Sequence, residues 1–247
     1  MSKSDTIICI PARYASTRFP GKPIVKLAGK PIIQWVYERA KKSKADDVII
    51  ATDNKQIKMC AETFNAKCVM TSPNHPSGTD RIWEAVKNIE CDIVINVQGD
   101  EPLIDIQLID RLIDLFDNYK VEMATVVLNA DRKIIASNPN IVKAVVAQDG
   151  RALYFSRSEV PFVRDIDDSF PIYHHVGIYG YRKNILEKIV NLPPSPLEKC
   201  EKLEQLRALE SGINIYAIIA ENRINIGIDT PEDLKHAEKV VKQMGIS

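Results

Sequence analysis

The chain has 247 residues, 45% of them hydrophobic, with 33 basic side chains against 33 acidic ones. That length and apolar content suit one large α/β domain or two small ones, and the zero formal charge argues against a general nucleic-acid or membrane-surface partner. No run approaches the ~18 consecutive apolar residues of a membrane span, and the five cysteines, odd in number and without a C-x-x-C pair, argue against a disulfide framework or zinc site.

Residues 1–5 lead straight into a strand, so no signal peptide is expected and a reducing cytoplasm fits the cysteine usage. Residues 7–10 are a short apolar run ahead of a helical pattern, which predicts the buried first strand of a parallel sheet. The loop that follows carries Arg13, Arg18 and Lys22, two hydroxyls (Ser16, Thr17) and Gly21. Ligands of such sheets sit beyond the carboxyl ends of the strands, so the three cations would face a polyphosphate; the alternative is a solvated basic loop. Pro23 stands where a Walker A loop needs Ser or Thr, and no G-x-G-x-x-G follows the strand.

Beyond Gly29-Lys30-Pro31 the apolar residues Ile32, Ile33, Trp35, Val36 and Ala40 recur at helical spacing. A second strand is expected over 47–53, a helix over 54–64, and a short strand at 68–70. A turn-rich loop over 71–80 then leads to a helix carrying Ile82, Trp83, Val86 and Ile89. A fourth strand, 93–97, ends in Gln98-Gly99-Asp100-Glu101-Pro102, and a helix is expected over about 105–119. This alternation predicts an open, mostly parallel, twisted sheet flanked by helices.

The second half reads as a smaller β-rich region. Strands are expected at 123–128, 142–147, 152–156, 176–181 and 213–220, with a hairpin at Asp149-Gly150. A charged helix is expected over 197–211 after a proline-rich break, and a last helix begins at Thr230-Pro231-Glu232-Asp233.

Asp100 follows a buried strand and a glycine, so it belongs at the same sheet edge as the basic loop. A carboxylate beside a phosphate loop suits Mg²⁺, and Asp229 can supply a second one. The alternatives are a helix cap for Asp100 and a turn for Asp229. Arg157 and His175 are open to structural or functional roles, and Glu204 and Gln205 sit in a segment whose default is a solvated face.

Taken together, the first loop from Ile10-Pro11-Ala12-Arg13 to Gly21-Lys22-Pro23 resembles the opening loop of the 3-deoxy-manno-octulosonate (Kdo) cytidylyltransferases. So do Ala51-Thr52-Asp53, Ser77-Gly78-Thr79-Asp80-Arg81, Asn96-Val97-Gln98-Gly99-Asp100-Glu101-Pro102 and Tyr154-Phe155-Ser156-Arg157, in the family's order. His175-Val176-Gly177-Ile178-Tyr179, Leu203-Glu204-Gln205-Leu206-Arg207 and Asp229-Thr230-Pro231-Glu232-Asp233 complete the series.

The resemblance implies a cytoplasmic enzyme making CMP-Kdo and pyrophosphate from CTP and Kdo, with Mg²⁺ as cofactor, no membrane or nucleic-acid partner, and a homodimeric state. It implies one nucleotidyltransferase domain over 1–247. About 1–125 would be mainly nucleotide-binding, about 126–220 mainly sugar-binding and dimerising, and 221–247 would return to the metal. Arg13, Lys22, Asp100 and Asp229 would carry the chemistry, with Asp100 and Asp229 on the metal. Pro11, Ala12, Arg13, Ser16, Lys22, Ala51, Thr52, Ser77, Gly78 and Arg81 would hold the nucleotide. Gln98, Arg157, His175, Tyr179, Glu204 and Gln205 would hold the sugar acid. Pro161-Phe162-Val163-Arg164 is similar to relatives that prefer the 8-amino analogue of Kdo. A related sugar-nucleotide glycosyltransferase is the rival activity, but where its D-x-D is expected after a strand, Gly99-Asp100-Glu101 offers a different spacing.

Overall fold

A computed structural model describes residues 5–15, 19–165, 170–221 and 227–245. The chain forms two compact units, Met1–Asp110 with Ile224–Ser247, and Arg111–Arg223.

The first unit opens with β1 (Thr6–Ala12), a short hairpin of β2 (Lys26–Leu27) and β3 (Lys30–Pro31), and α1 (Ile32–Ala40). It continues through β4 (Asp47–Thr52), α2 (Lys55–Glu62), β5 (Lys67–Met70), α3 (Gly78–Val86), β6 (Ile93–Asn96) and α4 (Ile106–Asp114), within which the unit ends. Its strands lie in the order β6-β1-β4-β5, all parallel, with Cys9 opposite Ile49 on one side and Asn96 on the other. Ile8, Cys9 and Ile10 are wholly buried, as a central strand covered on both faces requires. One direction for all four strands puts Ala12, Thr52, Met70 and Asn96 on one edge.

Helix starts follow local chemistry. Asn54 accepts the Gln56 and Ile57 amides at the head of α2, and Ser77 accepts the Asp80 amide at the head of α3. That cap begins α3 at Gly78, so the last three residues of the expected 71–80 loop are helical. The helix expected over 105–119 stops at Asp114 and tightens into a 3₁₀ turn, Leu115–Asp117.

The second unit holds β7 (Met123–Ala130), α5 (Arg132–Ile135), β8 (Lys143–Val146), β9 (Ala152–Ser156), β10 (Ile172–Arg182), α6 (Lys183–Asn191), α7 (Pro196–Glu201), α8 (Gln205–Glu210) and β11 (Ile215–Ala220). β7 lies between β11, parallel to it, and β10, antiparallel; β8 pairs with β10 and β9. The parallel first half and smaller β-rich second half match the expected α/β class. Two details differ. α6 was not expected, although Ile185, Leu186 and Ile189 give it a buried face. The single helix expected over 197–211 is two, broken at Lys202 in the left-handed conformation (φ 55°). Across that break the Arg207 guanidinium grips the buried Glu198 carboxylate through two bonds of 2.8 and 2.5 Å, and Glu198 also closes a capping box with Ser195.

The chain then returns to the first unit for α9 (Pro231–Met244), whose Ala237, Val240 and Val241 pack with Leu27, Ile32, Trp35, Leu103 and Ile228. No helix among the described residues is long and apolar enough to cross a membrane.

Candidate active site

The carboxyl edge of the first unit's sheet collects most of the expected nucleotide-side residues. The loop after β1 closes on itself where the Gly21 amide donates to the Tyr14 carbonyl at 2.9 Å. Gly21 has φ 69°, and a Cβ there would meet the Tyr14 ring at 3.3 Å, so glycine fits the turn on both counts. Lys22 follows as the first residue of a 3₁₀ turn. On the neighbouring loop, a Cβ on Gly99 would stand 2.8 Å from the Pro11 carbonyl oxygen, so only glycine lets this loop approach the end of β1. Pro11, Ala12, Arg13, Lys22, Gly78, Gln98 and Asp100 together line a cavity of about 270 Å³. Ser16 and Arg18 lie outside the described residues.

Lys22 departs from expectation in its partners. Its ammonium donates to Asp100 Oδ2 at 2.6 Å and to Asp229 Oδ1 at 3.0 Å, and the residue is buried, 8% exposed. The cation that the sequence places toward a ligand's phosphates is held by two of the protein's own carboxylates.

Asp229 reaches Asp100 across more than a hundred residues through backbone geometry. The Ile228 amide donates to the Asp100 carbonyl at 2.9 Å while the Ile228 side chain is wholly buried. The next residue starts the α9 cap, in which Asp233 accepts from the Asp229 amide (3.0 Å), the Thr230 amide (2.9 Å) and the Thr230 hydroxyl (2.9 Å). Asp229 is therefore held from both sides, and its carboxylate remains about half exposed. The turn and cap alternatives are thus both part of the geometry that aims these carboxylates.

The remaining nucleotide-side residues stand mostly behind the edge. Ala51 and Thr52 are fully buried. Arg81 is fully buried too, its guanidinium donating to Asp53 Oδ2 and Thr71 Oγ1 at 2.6 Å each, and its Nε has no hydrogen-bond partner among the described residues. Ser77 donates to Asp80 at 2.6 Å as it caps α3. Arg13 donates to the His75 carbonyl at 3.0 Å. That carbonyl is set by a pair the sequence gave no reason to single out: the His75 ring binds the Glu84 carboxylate, which also accepts the Ser72 amide. Those hydrogen bonds, His75 first, hold the Glu84 carboxyl below its ordinary range. His75 and Glu84 are nine residues apart across a loop and a helix start, a spacing with no pattern to find.

Of the expected sugar-side residues, Gln98 lies in the first unit, where it donates to Asn96 Oδ1 at 3.1 Å. The other five lie in the second. Arg157 donates to the carbonyls of Glu201 (2.7 Å) and Pro139 (3.0 Å) and, at the 3.5 Å limit, Lys202. Its own carbonyl accepts from Lys143, a wholly buried lysine whose ammonium also donates to the Asn138 (3.0 Å) and Ile141 (2.8 Å) carbonyls. Burial pushes the Lys143 pKa down. The sequence hid this lysine, because it sits among strand residues like any exposed one.

The register of β10 against β7 slips between Val176 and Tyr179, which oppose the adjacent Val126 and Thr125. Thr125 fills that irregularity, bonding the Ile178 carbonyl at 2.8 Å and His175 Nε2 at 3.1 Å. His175 packs against the rings of Phe155 (4.9 Å) and Tyr179 (5.3 Å). Burial, with His174 adding to it, pushes its pKa down to about 3, and burial raises the Tyr179 phenol well above its ordinary value. Both side chains are neutral donors and acceptors. Glu204 heads α8, and Gln205 is buried, 6% exposed, with its Nε2 lacking a hydrogen-bond partner among the described residues. The solvated-face default therefore fails for Gln205.

Comparison with known proteins adds a second line of observation. A cytidylyltransferase family model matches residues 7–218. The 3-deoxy-manno-octulosonate cytidylyltransferase of Thermodesulfovibrio yellowstonii is 52% identical, over 95% of this chain and 97% of that one. Its counterpart from Elusimicrobium minutum is 48% identical, over 96% and 98%. A solved structure of CMP:2-keto-3-deoxy-manno-octonic acid synthetase complexed with CTP aligns with TM-score 0.93 at 39% identity, covering 98% of this chain and 100% of that one. A cytidylyltransferase from Leptospira borgpetersenii aligns with TM-score 0.62 at 20% identity, over 98% and 95%, a likeness of fold alone.

Proposed function

The chain belongs to the 3-deoxy-manno-octulosonate cytidylyltransferase family, and we propose that it is an enzyme joining CTP to Kdo to give CMP-Kdo and pyrophosphate, in the cytoplasm, on the route to lipopolysaccharide. The observation that carries the chemistry is the pair of carboxylates, Asp100 and Asp229, converging on one cation at the carboxyl edge of a parallel sheet.

In this reaction the C2 hydroxyl of Kdo gives up its proton to solvent and attacks the α-phosphorus of CTP, and the bond to the β-phosphate breaks with its electron pair leaving on pyrophosphate. The protein contributes position and charge and no nucleophile of its own. Arg13 and Lys22, lining the cavity, neutralise the departing pyrophosphate. Thr52 and Arg81 are too buried to reach far; they hold the edge on which the nucleotide rests. Ser77 and Gly78 do the same from the start of α3.

Asp100 and Asp229 fit magnesium, because two carboxylate oxygens already share a single positive charge, leaving the other ligands to phosphate and water. When bound there, magnesium lowers the pKa of the attacking hydroxyl and polarises the phosphoryl oxygen.

Kdo brings one carboxylate and many hydroxyls, which suits an Arg fork with Gln, His, Tyr and Glu around it. The unpartnered Nε2 of Gln205 supports this reading, since a buried donor costs about 1–3 kcal/mol until an acceptor meets it. Homodimerisation draws support from exposed apolar side chains in the second unit, among them Phe162 (85%), Ile134 (68%) and Phe170 (58%). Phe162 also belongs to the segment that resembles 8-amino-Kdo enzymes, so that analogue is the second substrate to assay. The test is pyrophosphate release when Kdo is added to enzyme, CTP and Mg²⁺. Release that requires the sugar acid supports the reading; CTP binding without turnover would make the chain a regulatory module instead.

A further inference from the structure

We infer that Lys22 is the resident cation of the metal seat, and that a divalent ion and the CTP triphosphate therefore enter together, each displacing part of what Lys22 holds. The inference rests on the reading of Asp100 and Asp229 as metal ligands. It begins from three facts. The Lys22 ammonium bridges both carboxylates, at 2.6 and 3.0 Å. The lysine is 8% exposed, and Pro23 restricts the backbone just after it. Among the described residues no cluster of three or more His, Cys, Asp or Glu side chains is disposed to hold a metal.

Two carboxylates facing each other without a cation repel. The ammonium offsets that repulsion and holds the pair pre-aimed. It also blocks the seat. A divalent ion can enter only after the ammonium has withdrawn, and withdrawing it alone would leave a poorly hydrated charge with no partner. A triphosphate in the same cavity supplies the missing partner. The lysine then exchanges carboxylate oxygens for phosphate oxygens, with no net loss of ion pairing, and the vacated carboxylates meet the ion. Binding is thus coupled: nucleotide raises the protein's own affinity for the metal, and the metal raises its affinity for the nucleotide by the same factor. In the absence of nucleotide the seat is competent only in the fraction of molecules whose Lys22 has swung away, and apparent metal affinity falls by that fraction.

The experiment measures Mn²⁺ binding without nucleotide, by the loss of the free-ion electron paramagnetic resonance signal, on the wild-type chain, Lys22→Met, Asp100→Asn and Lys22→Met/Asp100→Asn. Lys22→Met should bind Mn²⁺ at least about tenfold more tightly than wild type, and the added Asp100→Asn change should abolish the gain. Equal Mn²⁺ affinity in wild type and Lys22→Met, with both lost on Asp100→Asn, overturns the inference and leaves the metal reading standing. Mn²⁺ binding that ignores Asp100→Asn in every background overturns the metal reading itself. Should Lys22→Met fold poorly, amine labelling of the wild-type chain read by peptide mass spectrometry gives the same answer. Lys22 should be slow to label in the wild type and at least about tenfold faster in Asp100→Asn/Asp229→Asn, where neither carboxylate holds the ammonium. Equal labelling in the two proteins rejects the resident-cation role.

Discussion

The two units satisfy their buried cations in different ways. In the first, the partner is a carboxylate: Lys22 with Asp100 and Asp229, Arg81 with Asp53. In the second, the buried Lys143 meets main-chain carbonyls, and half-buried arginines of both units do the same: Arg157 and Arg182 in the second, Arg13 and Arg39 in the first. Two half-buried arginines of the second unit pair with carboxylates instead, Arg132 with Glu159 and Arg207 with Glu198, the latter clamping the break between α7 and α8. A carboxylate cancels the charge it binds, whereas a carbonyl satisfies the N–H groups and leaves the net charge in place. The first arrangement suits exchange, one anion for another. The second suits rigidity, fixing loops while the positive charge stays uncancelled.

The strongest way to break this contrast is at Asp100. Asn keeps the shape and removes the charge, so Asp100→Asn should lower kcat by at least ~10²-fold at saturating CTP and Mg²⁺. Steady-state kinetics decide it. Near-normal turnover would make the first unit's carboxylates structural, like the second unit's carbonyls.

How much of this could be read in advance follows from the range of the interactions. The β1 run, the Asn54 start of α2 and the Thr230-Pro231 start of α9 are local patterns, and the structure matches them closely. The edge position of Asp100 followed from strand direction alone. The partner of Lys22 did not, because Asp229 arrives through a backbone bond from Ile228 to Asp100, more than a hundred residues away. A three-residue motif cannot state whether its cation faces a ligand or another motif. The break at Lys202 was equally hidden: the charged periodicity continues across it, and the Glu198–Arg207 pair that organises it is a tertiary contact. Lys143 is the same lesson inside the second unit, where a lysine's burial depends on three carbonyls that only the fold brings to it.

Arg157 sharpens the contrast from the other side. Three of its five N–H groups are used on carbonyls, which leaves two for a substrate carboxylate. Arg157→Ala should raise the KM for Kdo by roughly ten- to a hundredfold, about 1.5–3 kcal/mol, with a much smaller change for CTP. Arg157→Lys should restore only part, since an ammonium cannot reproduce the fork. The loss of the ties to Pro139 and Glu201 will also lower the melting temperature, so the ratio of the two KM values is the readout. Equal changes for both substrates would assign Arg157 to loop rigidity alone.

The smallest effect comes from a group the second unit keeps uncharged. His175 lies between Phe155 and Tyr179 with Thr125 on its Nε2, and its folded pKa is pushed down to about 3, while an unfolded histidine titrates near 6.5. Below pH ~6.5 the unfolded chain therefore takes up a proton that the folded chain refuses. Stability present at neutral pH is lost as pH falls, at up to roughly 1.4 kcal/mol per pH unit, until the folded ring protonates as well. Glu84 and Glu198, whose carboxyls are held low, lose stability in the same direction, but only as pH drops toward the ordinary carboxylate range near ~4.3. The interval from about pH 6.5 to 5 thus belongs to histidine. His174, lowered by burial and by Lys143, contributes to the same slope. Chemical denaturation of wild type and His175→Gln at pH 7, 6 and 5, pH values chosen to span that interval, should show the variant losing distinctly less stability on acidification than wild type, with a residue of slope from His174. Parallel pH dependences in the two proteins would mean that His175 accepts its proton in place, and that the second unit tolerates a further buried charge beside Lys143.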